Sequence, residues 1–143
     1  MSKLKVLLAT FLICATVIAA DRKVIQPKEF PGGRPFSPGI LVDGTLYVAG
    51  QTGPDLKTGK IPDTFEAEVK QCLENIGIIL KAAGMTYDDV VSVQVYLTDM
   101  DLFQRMNGVY TTFFKEPRPA RTTVGVAKLV GTAHIEITVT ARK

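Results

Sequence analysis

The chain has 143 residues, 46% of them hydrophobic and 22% charged, and its 17 basic and 14 acidic residues give a formal net charge of +3. That length holds one domain and leaves no room for two. With two cysteines and one histidine in the whole chain, a structural zinc site of the usual ligand set is excluded, and so is a disulfide framework.

Met1-Ser2-Lys3-Leu4-Lys5 is basic, Val6 to Ala20 is apolar, and Asp21-Arg22-Lys23 turns abruptly polar. The apolar run is shorter than the ~20 residues that span a bilayer, so residues 1–20 read as a secretory signal cleaved after Ala19 or Ala20. The expected mature domain is residues 21–143, periplasmic or secreted, with no membrane contact after cleavage. Lys3 and Lys5 leave with the signal, which takes the 17 basic residues to 15 against 14 acidic ones. A net charge near +1 without a basic cluster gives no electrostatic motive for nucleic-acid binding. Cys72 is then the one remaining thiol, so an intramolecular disulfide is impossible.

Asp21 to Pro38, rich in Pro and Gly, reads as an extended arm with turns. Ile40-Leu41-Val42 and Thr45 to Ala49 flank Asp43-Gly44, a two-residue turn of the kind that favours positive φ, and so form a hairpin. Asp55 to Pro62 is a loop. From Thr64 the period changes: Phe65, Val69, Cys72, Leu73, Ile76, Ile79, Leu80 and Ala83 form the apolar stripe of an amphipathic helix. Asp63 and Glu66 resemble a capping box at its start, and Gly84 is a natural stop. Cys72 lies on the stripe and reads as a buried apolar residue.

Val90 to Leu97 alternates as a strand. Thr98 to Asp101 caps a second helix running from Leu102 to about Phe114, ended by Pro117 and Pro119. Gly108 within it is costly by ~1 kcal/mol, which points to close packing there. Arg118-Pro119-Ala120-Arg121-Thr122-Thr123 enters a further strand, and His134 to Thr140 alternates as the last. The order β-β-α-β-α-β-β predicts an α+β fold, a mixed sheet with two helices on one face. The other sheet face is either solvated or buried against identical copies.

If strands 121–126 and 133–140 form a hairpin with both apolar faces on one core, Thr123 pairs with Glu136. Arg121 then sits diagonally from Glu136 at ~7–8 Å on the same side. Arginine suits bidentate grip of a carboxylate, and a confined Glu can order or deprotonate water. A structural ion pair at a sheet edge or subunit contact is the competing reading. His134, Ser37 and Gly50-Gln51-Thr52-Gly53 lack the partners or spacing of a catalytic triad or a phosphate loop.

Pro35-Phe36-Ser37-Pro38-Gly39, Leu46 to Gln51, Asp55 to Gly59, Asn75-Ile76, Tyr96 to Met100 and Pro119 to Thr123 resemble the Rid family, also called YjgF/YER057c/UK114, over nearly the whole mature domain. The resemblance implies a chorismate-mutase-like fold and a homotrimer with a central barrel and sites in the clefts between subunits. It also implies cofactor-independent hydrolysis of reactive enamines and imines, such as 2-aminoacrylate-like imino acids, to 2-oxo acids and ammonia. By position, Arg121 would bind the substrate carboxylate and Glu136 would position water, with Phe36, Gly50, Asn107 and Thr123 lining the pocket. Phe36 stands where a tyrosine is common in the family, and Thr123 where a cysteine is frequent. A non-catalytic module that binds small carboxylates, or a holdase-like interaction protein, is the alternative.

Overall fold

The computed structural model describes residues 20–143. The expected signal segment, Ala20 apart, lies outside them. Strands β1 (Arg22–Ile25), β2 (Gly39–Val42) and β3 (Thr45–Gln51) precede helix α1 (Phe65–Ala82). Strand β4 (Val90–Leu97), helix α2 (Phe103–Phe113), β5 (Ala120–Gly125) and β6 (Ile135–Arg142) follow. The six strands form one sheet in the order β1-β2-β3-β6-β4-β5, antiparallel throughout except for the parallel β4–β5 pair. This is the α+β mixed sheet with two helices expected from the sequence, extended by one strand. Within the expected arm, β1 pairs with β2, Val24 opposite Ile40. Its four residues are too few to show a period.

The β2–β3 turn sits where Asp43-Gly44 predicts it, with both residues at positive φ (47° and 73°). Helix α1 is capped by Thr64, whose side chain accepts from the Ala67 N–H, and Asp63 is not the cap. Its stripe is buried as the period predicts: Val69, Cys72, Leu73, Ile76, Ile79 and Leu80 are all 1% exposed or less. Each large apolar side chain so buried contributes about 1.5–3 kcal/mol. The same core takes in Val93, Val95 and Leu97 of β4 and Ile135, Ile137, Val139 and Ala141 of β6, two interior strands. Burial pushes the Cys72 thiol well above its ordinary range, and the thiol donates to the Gln51 carbonyl at 3.0 Å. Cys72 is therefore a core residue and not a nucleophile.

A Cβ added at Gly108 would meet nothing within 4 Å, so this glycine lines an open groove between α1 and α2 and is not closely packed. More consequentially, β5 and β6 do not form a hairpin. Strand β4 lies between them and takes a ladder from each, so Thr123 pairs with Val95 and Glu136 with Tyr96.

Candidate active site

Insertion of β4 decides where the two candidate residues point. Residues paired across neighbouring strands share a sheet face. Arg121 pairs with Val93, which pairs with Val139, and both valines are buried under the helices. Glu136 pairs with Tyr96, which pairs with Val124, on the open face. Arg121 and Glu136 thus lie on opposite faces, separated by two strand spacings of about 5 Å each. No ion pair links them, and the expectation that they point to one side is overturned for a single chain.

Each residue instead heads its own cavity. The first, of about 380 Å³, is lined by Asn107, Tyr110, Thr111, Arg118, Pro119 and Arg121. Here the Arg121 guanidinium lies over the Tyr110 ring at 4.5 Å and the Phe103 ring at 5.5 Å, with Nη1 3.9 Å from the Met106 Sδ. No carboxylate among the described residues pairs with it. Aromatic faces and a thioether hold the cation in place; Nη1 donates to the Met106 sulfur, while Nε and Nη2 have no partner among the described residues and stay available for an anion. Thr123, one same-face step along β5, and Tyr110 carry the two buried hydroxyls that lack a hydrogen-bond partner among the described residues. Burial raises the Tyr110 phenol above its ordinary range, while the guanidiniums of Arg121 and Arg118 act in the other direction.

The second cavity, of about 300 Å³, gathers Phe36, Gly50, Glu136, Arg34, Asn75 and Val130 among its lining residues. Strand β3 breaks register with β6 between Val48 and Gln51, and Gly50 sits in this irregularity. A Cβ there would fall 1.9 Å from Glu136 Oε1, so only glycine lets the carboxylate lie against the β3 backbone. Asn75, a polar residue on the stripe of α1, is 1% exposed and donates to the carbonyls of Thr52 (3.2 Å) and Pro54 (3.0 Å), fixing the loop that walls the cavity. Phe36 is 49% exposed at the rim with the Arg34 guanidinium 5.9 Å from its ring. Glu68, also buried, ties down the approach to β6 by accepting from the His134 N–H (2.7 Å) and contacting its Nδ1 (2.8 Å). The lone histidine is therefore part of a structural clamp.

The six expected site residues divide between the two cavities: Phe36, Gly50 and Glu136 line one, Asn107 and Arg121 line the other, and Thr123 stands one same-face step from Arg121. Met106 and Tyr110 fall on the apolar side of the second helix and Phe103 lies at its start, and nothing in their spacing marks them as a seat for a cation. Arg34 and Arg118 carried no signal beyond their charge, whereas Asn75 was visible as a polar break in an apolar stripe.

A family model described as Endoribonuclease L-PSP matches residues 28–143. The chain is 42% identical over 118 residues to the 2-iminobutanoate/2-iminopropanoate deaminase of Homo sapiens, covering 81% of this chain and 86% of the human protein. Among solved structures it is similar to the YjgF gene product of E. coli, with a TM-score of 0.79 at 32% identity over 85% of this chain and 98% of that one. It is similar also to E. coli TdcF with bound serine, with a TM-score of 0.79 at 31% identity and the same coverage.

Proposed function

The chain belongs to the endoribonuclease L-PSP family, also named Rid, and from that premise we propose that it is a cofactor-independent deaminase that hydrolyses short 2-imino acids to 2-oxo acids and ammonia. The observation that carries this reading is the Arg121 guanidinium, paired with no carboxylate among the described residues and held by Phe103, Met106 and Tyr110 with Nε and Nη2 free for a substrate carboxylate. The curated human relative is named for this chemistry, and the E. coli TdcF structure holds a small amino acid.

Since the two half-sites lie on opposite faces of one sheet, a working site needs the Arg121 half of one protomer and the Glu136 half of the next. A cyclic homotrimer provides three such junctions and covers the open face, where Tyr47 and Val124 are 53% and 41% exposed. In this assembly Arg121 binds the substrate carboxylate. Glu136 takes a proton from water as its oxygen adds to the imine carbon. The same proton passes to nitrogen to give a carbinolamine; Glu136 then carries the hydroxyl proton of this adduct to nitrogen as the C–N bond breaks, the C=O bond forms and ammonia leaves. We also infer export, from the basic, apolar and small-residue pattern of residues 1–20.

The test is release of ammonia and 2-oxo acid from freshly generated 2-iminopropanoate and 2-iminobutanoate. Rates at the uncatalysed level on both would overturn the deaminase reading in favour of a carboxylate-binding module. Gly50→Ala is a sharper probe, because the new methyl displaces the Glu136 carboxylate and not a packed core group. Turnover should fall about 10-fold to 100-fold, as misplacing a catalytic group by about 1 Å does. The melting temperature should move by no more than about 5 °C.

A further inference from the structure

We propose that the Arg121 cavity recognises two acidic groups at once, with Arg118 holding a second carboxylate, so that the preferred substrates are imines of short dicarboxylic amino acids. The proposal rests on the deaminase reading and names its substrate class. Arg118 and Arg121 line the same cavity of about 380 Å³, together with Asn107, Tyr110, Thr111 and Pro119, and no acidic side chain lines it. One guanidinium suffices for the carboxylate beside an imine. A second guanidinium on the same wall, with only one of its nitrogens engaged by Glu116, provides a second grip for an anion that spans the cavity.

The backbone at Arg118 is also restrained. Pro117 and Pro119 fix the backbone on both sides, and the residue before a proline is confined to extended conformations, so less chain freedom is lost when an anion binds. Glu116 engages Nη1 of Arg118, leaving Nε and Nη2 of the planar fork unengaged among the described residues. Tyr110 lines the same cavity, and its buried hydroxyl has no hydrogen-bond partner among the described residues. The chemistry recognised is that of a short chain with a carboxylate at each end, one beside the reacting carbon and one on the side chain.

The experiment compares succinate with butanoate, inert ligands that differ by one carboxylate, for binding to the full chain by calorimetry. Alongside, 2-iminosuccinate, generated from aspartate by an amino-acid oxidase, is compared with 2-iminobutanoate for hydrolysis. Succinate should bind about 10-fold or more tighter than butanoate, the scale of one added charge-assisted contact. Arg118→Ala should collapse that ratio, and the matching ratio of kcat/KM, toward unity, while Arg118→Lys should restore part of both. Equal binding of the two ligands by the unmodified protein, or ratios unmoved by Arg118→Ala, would overturn the proposal. A succinate preference without hydrolysis of either imine sinks the deaminase reading and leaves the second anion site standing. Hydrolysis of both imines without preference does the reverse.

Discussion

Replacing Arg121 with alanine is expected to lower kcat/KM for 2-iminopropanoate by about 100-fold to 10,000-fold, the loss of two charge-assisted hydrogen bonds worth about 1.5–3 kcal/mol each. Folding should be nearly untouched. The guanidinium is packed on Tyr110 and Phe103 and pairs with no carboxylate among the described residues, so its removal orphans no buried charge. Arg121→Lys should recover little, because an ammonium cannot offer two parallel donors to a planar carboxylate or stack flat on the Tyr110 ring. Steady-state ammonia release measures the first effect, and circular dichroism with light-scattering mass measures the second. A variant that keeps its mass and fold and still turns over at the original rate would remove Arg121 from the mechanism, and full activity in Arg121→Lys would remove the bidentate grip.

The pattern of legibility follows the range of the interactions concerned. The Asp43-Gly44 turn and the stripe of α1 are local, set by φ preferences and by a 3.6-residue period, and both stand as read. Strand order is not local. Gly125 and Ile135 are joined by a short connection, which read as a hairpin loop, yet the inner edges of both strands are taken by β4. Facing went wrong for β5 for a related reason. Alternation puts Arg121 and Thr123 on one side and Val124 on the other, as found, and predicts that the apolar side faces the core. In the fold Val124 is on the open face, and the polar side turns toward α2, where Tyr110 and Phe103 receive the guanidinium. The reversal is affordable only on an edge strand, since on a central strand a charge under the helices would lie fully in the core. The residue types at the site were therefore visible in the sequence, while their division into two half-sites was not.

That division makes a prediction which a site within one chain cannot meet. Arg121→Ala and Glu136→Gln protomers should each be inactive alone, Glu136→Gln losing about 100-fold to 10,000-fold as expected for a lost general base. Each variant retains the half-site that the other lacks. When the two are unfolded together and refolded, or coexpressed, protomers assort at random. A junction is intact when its Arg121 half comes from the Glu136→Gln chain and its Glu136 half from the Arg121→Ala chain. For a cyclic assembly with equal mixing this holds for about one junction in four, so roughly a quarter of the original turnover should return. Simple mixing of preformed oligomers should restore less, at a rate set by subunit exchange. The geometry behind this is intrachain: β4 separates β5 from β6, and the pairings Arg121–Val93 and Glu136–Tyr96 fix the two side chains on opposite faces. Recovery near a quarter would establish that each site is shared between neighbouring copies. Persistent inactivity of the coassembled mixture, with mixed oligomers verified by mass, would mean that Arg121 and Glu136 do not serve one site, and the water-activating role of Glu136 would fall with it.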